Sequence, residues 1–174
     1  MSKALVIIDV QKCMFDDANE RVHEPEAVVD RIASLIARAK AAGAPVFWVQ
    51  HDEGPESALH PGKPGFPFHP KVAPTSGDDV TVKHRSSAFH GTDLDAKLKR
   101  AGVDHLVIAG MQSEYCVDSA IRGAVERGYQ VTLAADAHST FDTRVAKATD
   151  IIAIQNDTMQ GSFANVMPAA GIVF

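Results

Sequence analysis

The sequence has little of what marks several protein classes. Its two cysteines, Cys13 and Cys116, are too few for the disulfide scaffold of a small secreted domain. No apolar run approaches the roughly 18 residues of a membrane span, and the run Ala4–Ile8 is too short for a signal peptide. Positive charge is also scarce, because 17 Lys and Arg face 22 Asp and Glu, which disfavours binding to nucleic acid or anionic lipid. We therefore expect a cytoplasmic protein that acts on neither membranes nor nucleic acid.

The composition is that of an ordinary globular protein, with 45% hydrophobic and 22% charged residues. At roughly 150 residues per domain, the length predicts one domain over residues 1–174. Short apolar runs typical of buried parallel strands alternate with stretches of helical periodicity. The strands are predicted at Lys3–Asp9, Pro45–Gln50, Val80–Lys83, His105–Ala109 and Gln130–Ala135. Two helices are predicted over Glu26–Ala41 and Glu114–Arg127. Two more are predicted to follow the N-caps Thr92 and Asp142, and the second of these would include Val145. The alternation predicts an α/β fold: a single-domain, Rossmann-like, doubly wound, mainly parallel sheet with helices on both faces.

Two segments fall outside this alternation. Gly171–Phe174 is predicted to add a final edge strand. The segment from His51 to Asp79 contains six prolines and four glycines, which predicts a long loop. Loops of this length usually carry function, so we interpret it as a wall or lid over a site, with a rigid surface excursion as the alternative.

Three reactive side chains fall at or just after predicted strand ends, where doubly wound sheets bind their ligands. They are Asp9, Lys83 and Cys116. We expect the helix dipole and the Lys83 ammonium group to lower the pKa of the Cys116 thiol, and Asp9 to accept its proton during attack on a carbonyl. Glu114 argues mildly against this, because a nearby carboxylate would raise the thiol pKa unless it points away. Each residue also has a plain structural explanation, as a buried small hydrophobe, a turn residue or a solvated lysine.

Five blocks of sequence in order along the chain carry a family resemblance. The blocks are Leu5–Gln11, Val49–Asp52, Lys83 with Ser87–Phe89 and Gly91–Leu94, Gly110–Val117, and Gly128–Val131 with Asp136–Ala137. Together they resemble the isochorismatase-like cysteine hydrolases, a superfamily that includes nicotinamidases and other small amidases. The resemblance implies an Asp-Lys-Cys catalytic triad at Asp9, Lys83 and Cys116, the residues already selected from the strand ends.

The resemblance further implies a cis peptide bond between Met111 and Gln112. That bond would direct the Gln112 amide into an oxyanion hole together with the amide of Cys116. Isochorismatases proper have a glycine where this chain has Cys116, and they hydrolyse a vinyl ether without a thiol. The cysteine therefore favours hydrolysis of a carbon–nitrogen bond in a small amide, ureide or imide, through a thioester.

Candidates for the substrate pocket are mostly aromatic side chains. They are Gln11, Phe15, His51, Phe89 and Tyr115, together with the loop residues Phe66 and Phe68. Cys13 matches no motif and is interpreted as a bystander. The family commonly forms dimers or tetramers, so a homodimer or homotetramer is expected, in which the long loop contributes to its own site or to a neighbour's.

No cofactor and no metal ion are expected. Nicotinamidases bind a metal through an aspartate two residues before a histidine, whereas this chain has Gln50-His51-Asp52. His51 and Asp52 are instead expected to hydrogen-bond each other or to line the pocket. Three alternatives stay open. One is a metal-assisted, nicotinamidase-like amidase, for which the loop offers His51, Asp52, His60 and His69. The others are an isochorismatase-type vinyl ether hydrolase and a catalytically silent binding scaffold. A nucleotide-binding module is disfavoured, because no G-x-G-x-x-G follows the first strand.

Overall fold

The computed structural model describes residues 2–16 and 20–174, and within these ranges it contains a six-stranded sheet flanked by α-helices. In chain order the elements are β1 (Lys3–Ile8), α1 (Pro25–Ala41), β2 (Val46–His51), β3 (Asp79–Lys83), α2 (Leu94–Arg100), β4 (His105–Met111), α3 (Asp118–Val125), β5 (Gln130–Ser139), α4 (Ala148–Met159) and β6 (Asn165–Met167). None of the helices in the described ranges combines the length and the apolarity needed to cross a membrane.

The sheet has the order β3-β2-β1-β4-β5-β6, and each neighbouring pair is parallel. The chain moves outward from β1 through β2 to β3, then returns to place β4 on the other side of β1. This is the doubly wound Rossmann order, so the predicted fold class is confirmed. The reversal creates a crevice between the carboxyl ends of β1 and β4, where ligands bind in folds of this kind.

Apolar side chains cover both faces of the sheet, because the central strands are buried on both sides. In β1, Ala4, Val6 and Ile8 pack on one face, while Leu5 and Ile7 pack on the other. The first face is covered by α2 and α3 and by Met159 of α4, and the second by α1. The prediction of helices on both faces is therefore confirmed, and the two cores hold the strand ends that carry the site.

The C-terminal segment differs from the prediction. Gly171–Phe174 does not form a strand, and the edge of the sheet is β6. Residues Ala169–Gly171 form a short 3₁₀ helix, and the Arg38 guanidinium donates to the carbonyl oxygens of Ala169 and Ile172 at 2.6 and 2.7 Å. The final residues are thus held against α1 by a side chain far away in sequence, instead of by pairing with β5.

Three helix starts also differ from the prediction. The segment predicted as one helix from Glu114 begins with a π-helical turn, Ser113–Val117, and becomes α-helical only at Asp118. The N-cap position of α2 is Asp93, which makes no side-chain cap bond; the Thr92 hydroxyl accepts from the amide of Leu94 at 3.4 Å, as a capping residue does, and donates to the carbonyl oxygen of Ala88 at 2.6 Å. Asp142 does cap α4, since its carboxylate accepts from the amide of Ala148 at 2.9 Å, but the helix begins at Ala148 and leaves Val145 exposed outside it.

The loop between β2 and β3 is tied to the carboxyl end of the sheet. The Trp48 indole donates to the carbonyl oxygen of Val72 at 2.7 Å, and the Gln50 side chain donates to that of Phe66 at 3.0 Å. The amide of Lys12, just after β1, donates to the carbonyl oxygen of Pro67 at 2.8 Å. These bonds hold the loop beside the crevice between β1 and β4, and Leu59 of the loop lines the cavity described below.

Candidate active site

Three strands bring the reactive side chains together at the crevice. Asp9 directly follows β1, Lys83 is the last residue of β3, and Cys116 lies in the π-helical turn after β4. Because all three strands are parallel, their carboxyl ends meet at the same edge of the sheet. The side chains are almost completely buried, with exposed fractions of 1% for Asp9, 0% for Lys83 and 6% for Cys116.

The Lys83 ammonium group is the centre of this arrangement. Its Nζ lies 2.8 Å from Asp9 Oδ2 and donates to Cys116 Sγ at 3.1 Å. The ammonium group also donates to the carbonyl oxygen of Arg85 at 3.0 Å. A buried lysine with one ion pair and two hydrogen bonds is held in place, so it fixes the carboxylate and the thiol relative to each other.

Burial changes the acid–base properties of two of these groups. Loss of solvent raises the pKa of Asp9 to about 6, even though the Lys83 charge opposes the shift. Burial, followed by the Asp9 charge, raises the pKa of the Cys116 thiol to about 12, with Lys83 again opposing. The expectation of a lowered thiol pKa is therefore wrong. It considered the helix start and the lysine and left out desolvation and the nearby carboxylate.

His51, the last residue of β2, lies beside the triad. Its Nδ1 is 3.9 Å from Cys116 Sγ, 3.7 Å from Asp9 Oδ2 and 3.8 Å from Glu53 Oε1. Burial, and then repulsion from Lys83, lower the pKa of His51 to about 4, so the imidazole is neutral at pH 7. His51 is thus an uncharged polar wall of the site.

The turn between β4 and α3 carries the thiol. The Met111–Gln112 peptide bond is cis, as the family resemblance implies. Ser113, which begins the π-helical turn, bonds to Nδ1 of the buried His138 at 2.8 Å, and His138 Nε2 lies 3.0 Å from Asn156 Oδ1. This buried chain of side chains fixes the start of the turn that carries Cys116.

A cavity of about 360 Å³ opens onto the thiol. Its walls are Asp9, Met14, His51, Glu53, Leu59, Ser86, Gln112, Tyr115 and Cys116. His51 and Tyr115 were predicted as pocket residues, and the structure brings both to the cavity. Tyr115 is 55% exposed, at the rim of the cavity.

The other predicted pocket residues do not line this cavity, and those expectations are corrected. Gln11 is fully buried, and its side chain bonds to the backbone of His51 and Phe66. Phe15 packs edge-on against His69 at 5.1 Å between ring centres. Phe89 stacks on Tyr129 at 6.3 Å, in the core beneath α3. The loop residues Phe66 and Phe68 are not among the cavity walls either. Side chains near a motif thus serve the core or the loop as readily as the substrate pocket.

The sequence reasoning missed four cavity residues: Met14, Glu53, Leu59 and Ser86. Three of them, Met14, Glu53 and Leu59, lie in irregular segments, where the sequence motifs point to histidines and aromatic residues instead. For Glu53 a signal existed, since it follows His51 and Asp52 at the end of β2, two residues beyond a predicted pocket residue. Met14 and Leu59 gave no signal, because single apolar residues in loops do not indicate where the loop folds.

The expected interaction between His51 and Asp52 is also absent. Asp52 Oδ1 instead lies 2.7 Å from His60 Nδ1 and accepts from the amide of Gly54 at 3.0 Å. His69 is engaged by Phe15, away from this pair. Of the candidate metal ligands of the loop, Asp52 and His60 thus form a close pair, while His69 packs on Phe15.

In the described part of the chain, Asp9, His51 and Cys116 have ligand atoms within 4.8 Å of one another, close enough to share a metal ion. The Lys83 ammonium group already contacts two of these three groups, at 2.8 and 3.1 Å. A divalent cation there would be repelled by a buried positive charge. The donor set thus suits the lysine better than a metal.

Glu114 turns towards Thr140, whose hydroxyl donates to Glu114 Oε1 at 2.9 Å. The Gln112 side chain in turn donates to Thr140 Oγ1 at 3.4 Å. Glu114 is not a wall of the cavity that holds the thiol. Its carboxylate therefore takes part in a chain of hydrogen bonds behind Gln112.

The fold and the site together define a class of Rossmann-like α/β proteins with a buried thiol at the switch point of a parallel sheet. The chain belongs to the isochorismatase family, because a family model described as the isochorismatase domain matches residues 3–170. The family resemblance inferred from the sequence is thereby confirmed.

Relatives of known name in this family are hydrolases. Streptothricin hydrolase from Streptomyces noursei is 40% identical over 144 residues, which cover 83% of this chain and 52% of that protein. Ureidoacrylate amidohydrolase from Methylobacterium radiotolerans is 31% identical over 169 residues, covering 76% of this chain and 65% of the relative. The chain thus spans about half the length of streptothricin hydrolase.

A solved structure supports the same assignment. The crystal structure of a cysteine hydrolase from Pseudomonas syringae pv. phaseolicola superposes with a TM-score of 0.88 at 25% identity. The match covers 97% of this chain and 89% of the other. The similarity extends over almost the entire fold, including the strand ends that carry the site.

Proposed function

We propose that this protein is a cysteine hydrolase that cleaves a carbon–nitrogen bond of a small amide, ureide or imide through a thioester on Cys116. The observation that carries the proposal is the buried contact of Lys83 Nζ with both Asp9 and Cys116 Sγ, at 2.8 and 3.1 Å. The names of two relatives, a streptothricin hydrolase and a ureidoacrylate amidohydrolase, are consistent with this bond class.

In the first step, Sγ attacks the carbonyl carbon while the thiol proton passes to Asp9. The raised thiol pKa means that Cys116 is protonated at rest, so the attack needs a base. Asp9 has the required properties, because its pKa is raised to about 6 and its Oδ1 is buried without a hydrogen-bond donor among the described residues. The Lys83 ammonium group stabilises the thiolate as it forms.

In the second step, the tetrahedral intermediate collapses to a thioester. Its oxyanion is placed against the backbone amides of Gln112 and Cys116 at the turn after β4. The C–N bond breaks, and Asp9 returns its proton to the departing nitrogen, which leaves as ammonia or an amine. Water then attacks the thioester with Asp9 again as base, releasing the carboxylic or carbamic acid and restoring the thiol.

The proposal is tested by the Cys116→Ala variant. We expect turnover of small amides and ureides, followed as ammonia release, to fall by at least a factor of about 10³ because the nucleophile is lost. Mass spectrometry of the wild-type enzyme, quenched during turnover, is expected to show an acyl adduct on the peptide that contains Cys116.

The matched control is Cys13→Ala, which removes the other thiol. Cys13 does not line the cavity, and this variant should keep its activity. Substantial turnover by Cys116→Ala, with circular dichroism showing both variants folded, would exclude the covalent mechanism.

A further inference from the structure

One charged group in the cavity is not used by the proposed mechanism. Asp9 and Lys83 form a buried pair whose charges cancel, and His51 is neutral. Of the charged side chains that line the cavity, this leaves the carboxylate of Glu53. The space in front of the thiol therefore carries an excess of one negative charge.

Glu53 is held in a defined position. Its amide donates to the carbonyl oxygen of Leu59 at 2.9 Å, which fixes the backbone. The hydroxyl of Ser57 donates to Oε2 at 2.8 Å. The other oxygen, Oε1, lies 3.8 Å from His51 Nδ1, beyond hydrogen-bonding distance. One carboxylate oxygen is thus anchored, and the second keeps the capacity to accept a hydrogen bond.

The distance between Glu53 and the thiol suits a small substrate. His51 Nδ1 lies 3.9 Å from Cys116 Sγ and 3.8 Å from Glu53 Oε1, so Sγ and Oε1 are separated by less than about 8 Å. A carbonyl carbon in contact with the thiol would leave room for a chain of a few methylene groups before a nitrogen reaches Oε1. The cavity of about 360 Å³ holds a molecule of that size.

We propose that Glu53 selects the substrate, and that the preferred substrate is a small amide bearing a positively charged nitrogen group a few bonds from the scissile carbonyl. This inference rests on the proposed function, since it assigns the substrate class of the same site. A charge-assisted hydrogen bond from such a group to Glu53 Oε1 would orient the carbonyl towards Sγ.

The outer rim of the cavity contains one positively charged side chain, Arg85, but does not favour an anionic substrate. A second cavity adjoins the first through His51, Glu53 and Ser86, and there Arg85 faces two carboxylates, Glu53 and Glu56. Arg85 is not a wall of the inner cavity. An anionic group could meet Arg85 only at the rim, whereas Glu53, whose side chain is 49% exposed, lines both the rim and the cavity that holds the thiol.

The test uses three amides of nearly equal size: cationic 4-aminobutanamide, neutral pentanamide and anionic 4-carboxybutanamide. We expect kcat/KM of the wild-type enzyme, measured by ammonia release, to be about tenfold higher for 4-aminobutanamide than for pentanamide, and lowest for 4-carboxybutanamide. In Glu53→Gln, kcat/KM for 4-aminobutanamide and kcat/KM for pentanamide should become about equal. If Glu53 only positioned His51, the substitution would lower both values together and leave the ratio unchanged.

Glu56→Gln is the matched control, because it removes an exposed carboxylate of the rim that does not line the inner cavity. It should keep the wild-type ratio. A wild-type enzyme that prefers pentanamide or 4-carboxybutanamide, or a Glu53→Gln variant that keeps the preference for 4-aminobutanamide, would overturn the inference.

Binding to Cys116→Ala separates this inference from the proposed function, because it needs no turnover. Isothermal titration calorimetry should show tighter binding of 4-aminobutanamide than of pentanamide, and the difference should vanish in the Cys116→Ala, Glu53→Gln double variant. Equal affinities, or no measurable binding of 4-aminobutanamide, would reject the role of Glu53 even if Cys116 is the nucleophile. Selective binding without turnover in the wild type would reject the hydrolase mechanism and keep the role of Glu53.

Discussion

Asp9 owes its acid–base character to its place after β1. Its backbone turns into the left-handed region, with φ at 49°, which is uncommon for a residue other than glycine. Its carboxylate is buried against one ammonium group, so solvent cannot stabilise its charge. Desolvation dominates over attraction to Lys83, and the pKa settles at about 6. A carboxyl group poised near neutrality can both accept and return a proton.

This environment predicts the pH dependence of the reaction. Asp9 must be ionised to accept the thiol proton, so kcat/KM should decline as the pH falls through about 6 and approach a plateau above pH 7. The measurement is kcat/KM for one amide between pH 4.5 and pH 9. Asp9→Asn, which cannot take the proton, should be inactive throughout. A profile that is flat down to pH 4.5, or one that rises only above pH 8, would contradict the assignment of Asp9 as base.

At the scale of elements, the contact between β1 and β4 depends on one glycine. Gly110 pairs with Ile8 and has φ at 130°. A Cβ atom there would lie 2.0 Å from the carbonyl oxygen of Ile8, which is a backbone atom that cannot turn away. The same register brings Asp9 and the Cys116 turn together, so the approach of these two strands also shapes the site.

Gly110→Ala should therefore be strongly destabilising, by more than about 3 kcal/mol, because it adds both a clash and backbone strain. Gly128→Ala is the control, since Gly128 also has a positive φ, at 87°, but no atom lies within 4 Å of its added Cβ. It should cost only about 1 kcal/mol. Urea unfolding monitored by circular dichroism gives both values. If the two variants lost similar amounts of unfolding free energy, the close approach of β4 to β1 would not be what requires glycine at position 110.

Gln11 links the end of β1 to the long loop. Its side chain accepts from the amide of His51 at 2.8 Å and donates to the carbonyl oxygens of His51 and Phe66 at 3.1 and 2.8 Å. All three bonds are shielded, because Gln11 is fully buried. The side chain of Gln11 thus positions the loop and His51 through their backbone.

Gln11→Met keeps the approximate volume and removes these bonds, so that the backbone of His51 loses its side-chain partner and the carbonyl oxygen of Phe66 keeps only its bond from Gln50. We expect a loss of about 2–4 kcal/mol in the free energy of unfolding and faster hydrogen exchange across residues 51–79. Gln130→Met, on the exposed first residue of β5, should change neither quantity. Unchanged exchange in the loop of Gln11→Met would mean that other contacts hold it.

For the whole molecule, burial of histidines sets the response to acid. Four histidines have a lowered pKa, with burial as the first cause in each: His51, His69, His105 and His138. The folded protein therefore binds fewer protons than the unfolded chain as the pH falls below about 6.5. The stability tied to these neutral histidines is present above that pH and is lost below it. Asp9 acts in the opposite sense, because its raised pKa makes the folded state take up a proton near pH 6.

Four histidines outweigh one carboxyl, so the free energy of unfolding should decrease from pH 7 to pH 5. His138→Gln should make this decrease shallower by up to about 1.4 kcal/mol per pH unit, the value for one proton. His90→Gln, at an exposed position, should leave the slope unchanged. Urea unfolding at pH 7, 6 and 5 provides the slopes. Stability that is constant or increases towards pH 5 would contradict this account.

Local patterns in the sequence determined much of this protein. The apolar runs placed β1 to β5, the alternation with helices predicted the Rossmann-like sheet, and Asp9, Lys83 and Cys116 were selected because they follow strands. These inferences succeed because a buried parallel strand must be apolar along its length, and because parallel strands present their carboxyl ends at one edge.

The tertiary structure alone decided which side chains face the cavity and how their charges interact. Phe89 and Gln11 lie near the motifs but serve the core and the loop, while Glu53 enters the cavity from a loop without periodicity. The thiol pKa shows the same limit, because the helix start and Lys83 are apparent from the sequence whereas desolvation and the approach of Asp9 arise only in the folded chain. Burial and distance across the fold depend on all elements packing together, and a local pattern does not contain them.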